Sequence, residues 1–267
     1  MRNESVCVEH TQCPNCASNG KDKHKNNLGV YSDGHVFCFS CGYRNNSSRY
    51  ENKNGGKDMV YQREFKDVSL PEDISNSIPP VIGKFLFDNY QFTNDDLKIH
   101  SLLWSDKFNR LIFPIFDSEG ELLAWTGKYF GTDAEQPKWY SIGINNSILH
   151  ILGKVNNQGS LILVEDIVSA IKISKAVSHS SVMPLFGSFF SEDRAKALHT
   201  LGYNIFSLWL DPDKRREAIT QARAVSDVLW GIGVSVRVIF SDADPKDLSE
   251  AAIVSTLVDK GLTDMIQ

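Results

Sequence analysis

SLILVEDIVSAIKISKAV, residues 160–177, is the segment that decides the fold. It begins with an apolar run of strand length, 161–164, and continues with apolar residues at helical spacing. Further strands are predicted at 182–186, 205–210 and 234–240, and a predicted helix follows each of them. Strands that alternate with helices in this way predict an α/β domain with a mostly parallel sheet and helices on its faces.

Acidic residues follow three of these predicted strands. Glu165 comes after the first strand, Asp211 and Asp213 after the third, and Asp244 and Asp247 after the fourth. Because ligands bind at the carboxyl edge of a parallel sheet, these side chains are candidates for one common site. Carboxylate oxygens suit Mg²⁺, so we predict a divalent cation, Mg²⁺ or Mn²⁺, at this edge. The alternative is that each acid only caps a helix or interacts with a helix dipole.

Two Cys-x-x-Cys pairs lie near the start of the chain, at Cys13 and Cys16 and at Cys38 and Cys41. Two such pairs in a short segment rich in Gly and Asn predict a four-thiolate zinc ribbon. The ion would be structural, because four protein ligands leave no coordination position for a substrate. A unit of this size cannot bury a large core, so the metal would stabilise it.

Composition bounds the class of protein. The chain has 267 residues, a formal net charge of −5 and 42% hydrophobic residues, as expected for an enzyme-sized globular protein. It contains no apolar run long enough to cross a membrane and no signal peptide pattern at its start, so we expect a cytoplasmic location. Cysteines in a reducing compartment are more often metal ligands than disulfides.

Shifts in composition predict four segments. The zinc ribbon would occupy 1–44, and a polar stretch containing Gly55 and Gly56 indicates a flexible linker over 45–66. Residues 67–158 would form a mixed α+β subdomain with a β-hairpin, and residues 159–267 the α/β domain. The linker would let the ribbon dock on the rest of the chain and release from it.

Several motifs resemble those of one known family. SDGHVFCFSC at 32–41, with the cysteine pair before it, resembles the zinc-binding domain of bacteriophage primases, above all the primase half of short-tailed phage primase–helicases. RLIFPI at 110–115, Gly127-Lys128 and PKWY at 137–140 resemble the basic N-terminal subdomain of bacterial-type primase cores. The strand-end Glu, the Asp-x-Asp and Lys246-Asp247 resemble the TOPRIM domain of the same superfamily.

The resemblance implies a DNA primase that makes short RNA primers from ribonucleoside triphosphates on a single-stranded DNA template. Glu165, Asp211 and Asp213 would then be catalytic, with Asp211, Asp213 and Asp247 as magnesium ligands. Arg110, Lys128 and Lys138 would bind template phosphates or the triphosphate, and Asp33 and His35 would read template bases. The sequence contains no phosphate-binding G-x-x-x-x-G-K-[ST] loop, so a separate replicative helicase is the expected partner.

Three positions depart from the family pattern. Asp166 stands where a Gly is usual, and Ser169 and Arg215 stand where an Asp is usual. These departures leave a second possibility, a zinc-containing module that binds DNA or a helicase but synthesises nothing. A recombination mediator and a TOPRIM nuclease or topoisomerase are further alternatives, although in the mediators the zinc site follows a helical DNA-binding segment.

Overall fold

The structure is a computed structural model of the chain. It describes residues 7–18, 20, 27–31, 36–38, 44–45, 68–145, 147–153, 159–177 and 180–262. The chain divides into two compact units, Met1–Glu64 and Phe65–Gln267. None of the helices in the described segments has the length and apolar character needed to cross a membrane.

The first unit is a small antiparallel sheet with one short helix. Its strands run in the order β1 (Cys7–Thr11), β2 (Leu28–Tyr31), β3 (Val36–Cys38) and β4 (Arg44–Asn45), and helix α1 is Pro14–Ser18. The buried cluster of this unit consists of Cys13, Cys16, Leu28 and Cys38. Thiols therefore make up most of the described core, which fits an N-terminal zinc ribbon.

The second unit begins with a five-stranded antiparallel sheet and two helices. The strands, in sheet order, are β5 (Ile74–Ser75), β6 (Leu103–Ser105), β7 (Arg110–Phe116), β8 (Leu122–Tyr129) and β9 (Trp139–Ile142). Helices α2 (Pro80–Tyr90) and α3 (Asn94–Ile99) lie between β5 and β6 along the chain. The β-hairpin predicted within 67–158 is confirmed as β7 and β8.

The second sheet of this unit has five strands in the order β10 (Leu152–Gly153), β12 (Ser181–Pro184), β11 (Ser160–Val164), β13 (Ile205–Trp209) and β14 (Ser235–Val238). Only β10 is antiparallel. The helices are α4 (Ile167–Ala176), α5 (Glu192–Thr200), α6 (Arg215–Leu229) and α7 (Glu250–Asp259). The predicted α/β class with a mostly parallel sheet is confirmed, and β10 is the strand that the pattern did not predict.

Both faces of the central strand β11 are covered, since all five of its residues are buried. Leu161 and Leu163 pack with Phe206 and Leu208 on one side, whereas Ile162 and Val164 face the larger core cluster. That larger cluster also contains Leu111 and Phe113 of the antiparallel sheet, together with residues of α2. One continuous core thus fixes the edge of the parallel sheet against the antiparallel sheet.

Candidate functional site

The carboxyl edge of the parallel sheet borders a cleft of about 280 Å³, here called the acidic cleft. Strand ends of the parallel sheet supply its acidic wall, and β8 and β9 with the preceding loop supply the opposite wall. The lining residues are Thr126, Lys138, Trp139, Ser141, Glu165, Asp166, Ile167, Phe186, Gly187, Asp211, Asp244 and Lys246. Acidic and basic groups therefore line the same small space.

Glu165 and Asp211 come together because their strands are neighbours in parallel register. Val164 of β11 pairs with Trp209 of β13, so both chains leave the sheet at the same level. One carboxylate oxygen of each residue, Glu165 Oε2 and Asp211 Oδ1, is buried with no hydrogen-bond partner among the described residues. Buried carboxylate oxygens need a compensating partner, and hard oxygen donors of this kind fit a divalent cation.

A lysine lies at the centre of the remaining acids. Lys246 Nζ is 2.6 Å from Asp244 Oδ2 and 3.2 Å from both Asp166 Oδ2 and Asp211 Oδ2. The side chain of Lys246 is only 10% exposed and those of the three acids are 16%, 17% and 31% exposed, so these ion pairs are partly buried. The backbone carbonyl of Lys246 accepts a hydrogen bond from Lys172 Nζ at 2.7 Å, which ties the turn to α4.

The environment of the cleft shifts the pKa values of its acids in opposite directions. Burial and the neighbouring Asp166 raise the pKa of Glu165. Burial outweighs Lys246 and raises the pKa of Asp211 to about 7, and Glu165 and Asp244 add to that rise. For Asp244 burial is the largest single influence and would raise the pKa, but the hydrogen bond and the charge of Lys246, together with Asp211 and Lys138, outweigh it and lower the pKa. The ammonium group thus lies closest to Asp244, at 2.6 Å, and Asp211 is the acid whose charged form the cleft disfavours.

Burial alone would lower the pKa of Lys246, but Asp166, Asp244 and Asp211 together raise it. The lysine is therefore charged at neutral pH.

Two acids of the sequence hypothesis do not line the cleft. Asp213 lies on a short 3-10 turn, Pro212–Lys214, where its side chain is 71% exposed and pairs with Lys214 at 3.2 Å. Asp247 is exposed at the end of the turn Pro245–Asp247, so Asp244 is the acid from this loop that reaches the cleft. Assignment of Asp213 and Asp247 as metal ligands stays a prediction.

Asp166 lines the cleft, although the sequence analysis did not include it among the candidate site residues. Its Oδ1 accepts a hydrogen bond from the backbone N–H of Ser169 at 2.8 Å and caps α4, while its Oδ2 pairs with Lys246. The residue thus has a helix-capping role and a place in the acidic cleft at the same time. An Asp directly before a helix indicated only the first of these roles.

The other two departures from the family pattern have different surroundings. The hydroxyl of Ser169 is buried and makes no hydrogen bond within the described segments. Arg215 begins α6, donates to the carbonyl of Ser241 at 3.0 Å and pairs with Asp242 at 3.4 Å. Arg215 therefore stabilises the loop after β14. It does not line the cleft.

Of the three basic residues predicted to bind phosphate, only Lys138 lines the cleft, and it is exposed. Arg110 is 4% exposed and donates to the carbonyls of Gly127 and Pro137 at 3.1 and 2.9 Å. Its guanidinium group also lies 5.0 Å from the ring centre of Tyr129. Through these contacts Arg110 links the β7–β8 hairpin to the loop before β9. Its role as a phosphate ligand stays a prediction.

Lys128 is enclosed by aromatic rings. Its ammonium group donates to the hydroxyl of Tyr90 and lies 4.4 Å from the centre of that ring, with Phe85 and Phe130 each at 5.4 Å. Burial first, and Lys138 second, lower the pKa of Lys128 to about 8. A buried cation destabilises a fold when, as for Lys128 among the described residues, no carboxylate pairs with it. The role of Lys128 as a phosphate ligand stays a prediction.

Replacing Lys128 with Met should therefore stabilise the protein by roughly 2–3 kcal/mol at pH 7, because the variant buries no charge. In the wild type the folded chain binds fewer protons than the unfolded chain between about pH 8 and the ordinary lysine pKa of 10.5. The wild-type free energy of unfolding should consequently rise over that interval and approach that of the variant. Urea unfolding of both proteins at pH 7, 8.5 and 10 measures this; a constant difference would contradict the lowered pKa.

The candidate zinc centre lies in the first unit. The thiol groups of Cys13, Cys16 and Cys38 are buried and lie within 4.8 Å of one another, so this group could hold a zinc ion. The Cys16 and Cys38 sulfur atoms are 3.6 Å apart. Cys41, Asp33 and His35 lie outside the described residues. Cys7 is not in the group; its sulfur lies 3.6 Å from Nε2 of His10.

Comparison with solved structures identifies the fold. The DnaG catalytic core aligns with 68% of this chain and 74% of its own length, at 16% identity and a TM-score of 0.51. The aligned part of the chain therefore has the fold of the DnaG primase catalytic core. No family model and no curated protein sequence matches the chain.

Two other primases align over different shares of their length. The zinc-binding and RNA polymerase domains of the Aquifex aeolicus primase match with 18% identity and a TM-score of 0.44, over 72% of this chain and 50% of that one. This chain thus spans half of that structure. The primase fragment of the bacteriophage T7 primase-helicase matches with 14% identity and a TM-score of 0.42, over 98% of both chains.

Proposed function

We propose that this protein is a DNA primase of the bacterial type, with a TOPRIM domain, that synthesises short RNA primers on single-stranded DNA during phage DNA replication. One observation carries the proposal. On the fold of a primase catalytic core, Glu165 and Asp211 border one cleft, and each has a buried carboxylate oxygen with no hydrogen-bond partner among the described residues. This is the donor set that a magnesium-dependent nucleotidyl transfer requires.

The reaction joins two nucleotides through a phosphodiester bond. The 3′-hydroxyl oxygen of one nucleotide attacks the α-phosphorus of the next triphosphate, the bond to the β-phosphate oxygen breaks, and pyrophosphate leaves. Negative charge on the phosphoryl oxygens must be stabilised, and a divalent cation held by Glu165 and Asp211 would supply that positive charge.

Other residues of the chain would bind and orient the substrates. Lys138 is exposed at the rim of the cleft and would contact the triphosphate, and Trp139 beside it offers an aromatic face to a base. Glu165 has a raised pKa and would accept the proton of the attacking hydroxyl where it is not engaged with the cation.

The first unit would select the template. Single-stranded bases are read by hydrogen bonds and by stacking on aromatic rings, and Asp33 and His35 are the groups that we assign to this task. A separate replicative helicase would bring the protein to its template, in the cytoplasm of a bacterial host.

A binding module without synthesis is the second candidate. The observation that favours it is the lysine within the acidic cleft, since Lys246 neutralises part of the charge that cations would otherwise bind. Such a module would bind single-stranded DNA or a helicase and make no product.

Incorporation of radiolabelled ribonucleotides distinguishes the two candidates. The protein would be mixed with random-sequence single-stranded DNA, four ribonucleoside triphosphates and Mg²⁺ or Mn²⁺. Short RNA products are expected. DNA binding without product, also in the presence of the cognate helicase, would refute the primase and favour the binding module.

A further inference from the structure

The acidic cleft contains more negative charge than one lysine neutralises. Glu165, Asp166, Asp211 and Asp244 line it, and Lys246 is the one cation that ion-pairs with them in the part of the chain that the structure describes. The lysine contacts three of these acids and leaves Glu165 outside its ion pairs. The charges are therefore arranged unevenly around the cleft.

Asp211 has one carboxylate oxygen in the ion pairs of Lys246 and one outside them. Its Oδ2 pairs with Lys246 at 3.2 Å, whereas its Oδ1 is buried and makes no hydrogen bond to any described group. Glu165 Oε2 is also buried and makes no hydrogen bond to any described group. The unpaired oxygens thus lie on Glu165 and on one side of Asp211, and the ammonium group occupies the other side.

Lys246 is held in this position from two directions. Its carbonyl accepts a hydrogen bond from Lys172, a residue that is 1% exposed on α4. The turn that carries it begins with Pro245, whose ring restricts the backbone. An ammonium group fixed in this way among three carboxylates has the surroundings of a bound cation.

We propose that the ammonium group of Lys246 is a built-in cation that fills one cation position of the acidic cleft, so that Glu165 and Asp211 together take a single divalent ion. The inference rests on the proposed function only in treating the cleft as the place where the divalent ion binds. It makes this site a one-metal site with a protein-borne second charge, rather than a two-metal site.

Binding of Mn²⁺ to the full-length, zinc-loaded chain tests the proposal without any need for turnover. The loss of the free Mn²⁺ signal in electron paramagnetic resonance counts the ions bound tightly per chain. We expect one Mn²⁺ in the wild type, none at the cleft in Glu165→Gln, and two in Lys246→Met. Lys175→Met is the matched control: this lysine pairs with Asp96 and Glu250, does not line the cleft, and should leave the count at one.

Melting supplies a second measurement. Without divalent ions, Lys246→Met should melt below the wild type, because three partly buried carboxylates lose their partner, and added Mn²⁺ should raise its melting temperature more than that of the wild type. If Lys246→Met does not fold, Lys246→Gln replaces it, since the amide keeps a hydrogen-bond donor without the charge.

The number of Mn²⁺ ions bound by the wild type tests the proposal without any variant. Two tight Mn²⁺ ions or none in the wild type, or an unchanged count in the folded Lys246 variants, would overturn the proposal. Failure of the primase assignment gives a different result: ion counts of one and two as expected, with no RNA product. Conversely, RNA synthesis by a wild type that binds two ions would refute only the one-metal inference.

Discussion

Glu165→Gln and Asp211→Asn should each reduce primer synthesis on the order of 10³-fold or more, because each removes one negative ligand from the position that holds the divalent ion. Both substitutions preserve side-chain size, so the strands β11 and β13 and their register should persist. Incorporation of radiolabelled ribonucleotide on single-stranded DNA, measured at saturating Mg²⁺, reports the loss. Circular dichroism and the melting temperature report whether the fold is retained.

Asp193→Asn is the matched control for these variants. Asp193 lies in the first turn of α5, is 95% exposed and pairs with Lys196 on the same helix, so its loss should leave synthesis within about twofold of the wild type. Synthesis by either cleft variant at more than a tenth of the wild-type rate would show that the cleft is not the polymerising centre. The exposed Asp213 can be tested in the same series, since a deep loss in Asp213→Asn would support its predicted role as a ligand.

Cys16→Ser should release the zinc ion and unfold the first unit. The described core of this unit is formed largely by thiols, and a structural zinc of this kind contributes roughly 10 kcal/mol to folding. We expect about one zinc per chain in the wild type and none in the variant, counted with a chromogenic chelator. Rapid proteolysis confined to 1–64 would mark the unfolding.

The functional consequence of zinc loss should be specific. Template preference should disappear first, while dinucleotide formation in the second unit should survive at a lower level. Cys7→Ser is the control, because Cys7 lies outside the thiol group and its loss should leave the zinc content unchanged. A Cys16→Ser protein that keeps both its zinc and its choice of template would contradict the assigned role of the ribbon.

The sequence was sufficient for the parts of the fold that depend on local patterns. Thr93 stands in the sequence where a helix N-cap is favoured, and in the structure Thr93 and Asp96 exchange hydrogen bonds in a full capping box. The apolar run predicted as a strand at 161–164 was confirmed as β11, which begins one residue earlier. Short-range periodicity and capping chemistry determine such elements directly.

The sequence also predicted that Glu165 and Asp211 would share one edge, since the carboxyl ends of parallel strands lie together whatever the details of packing. It could not decide which further acids would join them. Asp213 points away and Asp244 points inward because short 3-10 turns follow the two strands, and the backbone angles of a turn set the direction of each side chain.

Only the tertiary structure decided the state of the basic residues. Arg110 and Lys128 look alike in sequence as surface cations, yet β7 and β8 are covered on both faces and both side chains are buried. Only the folded chain likewise shows that Lys246 enters a cluster of acids that are 2, 35 and 80 residues away in sequence. Local pattern fixes strands and helices, but the field at a charged group depends on neighbours that only the folded chain brings near.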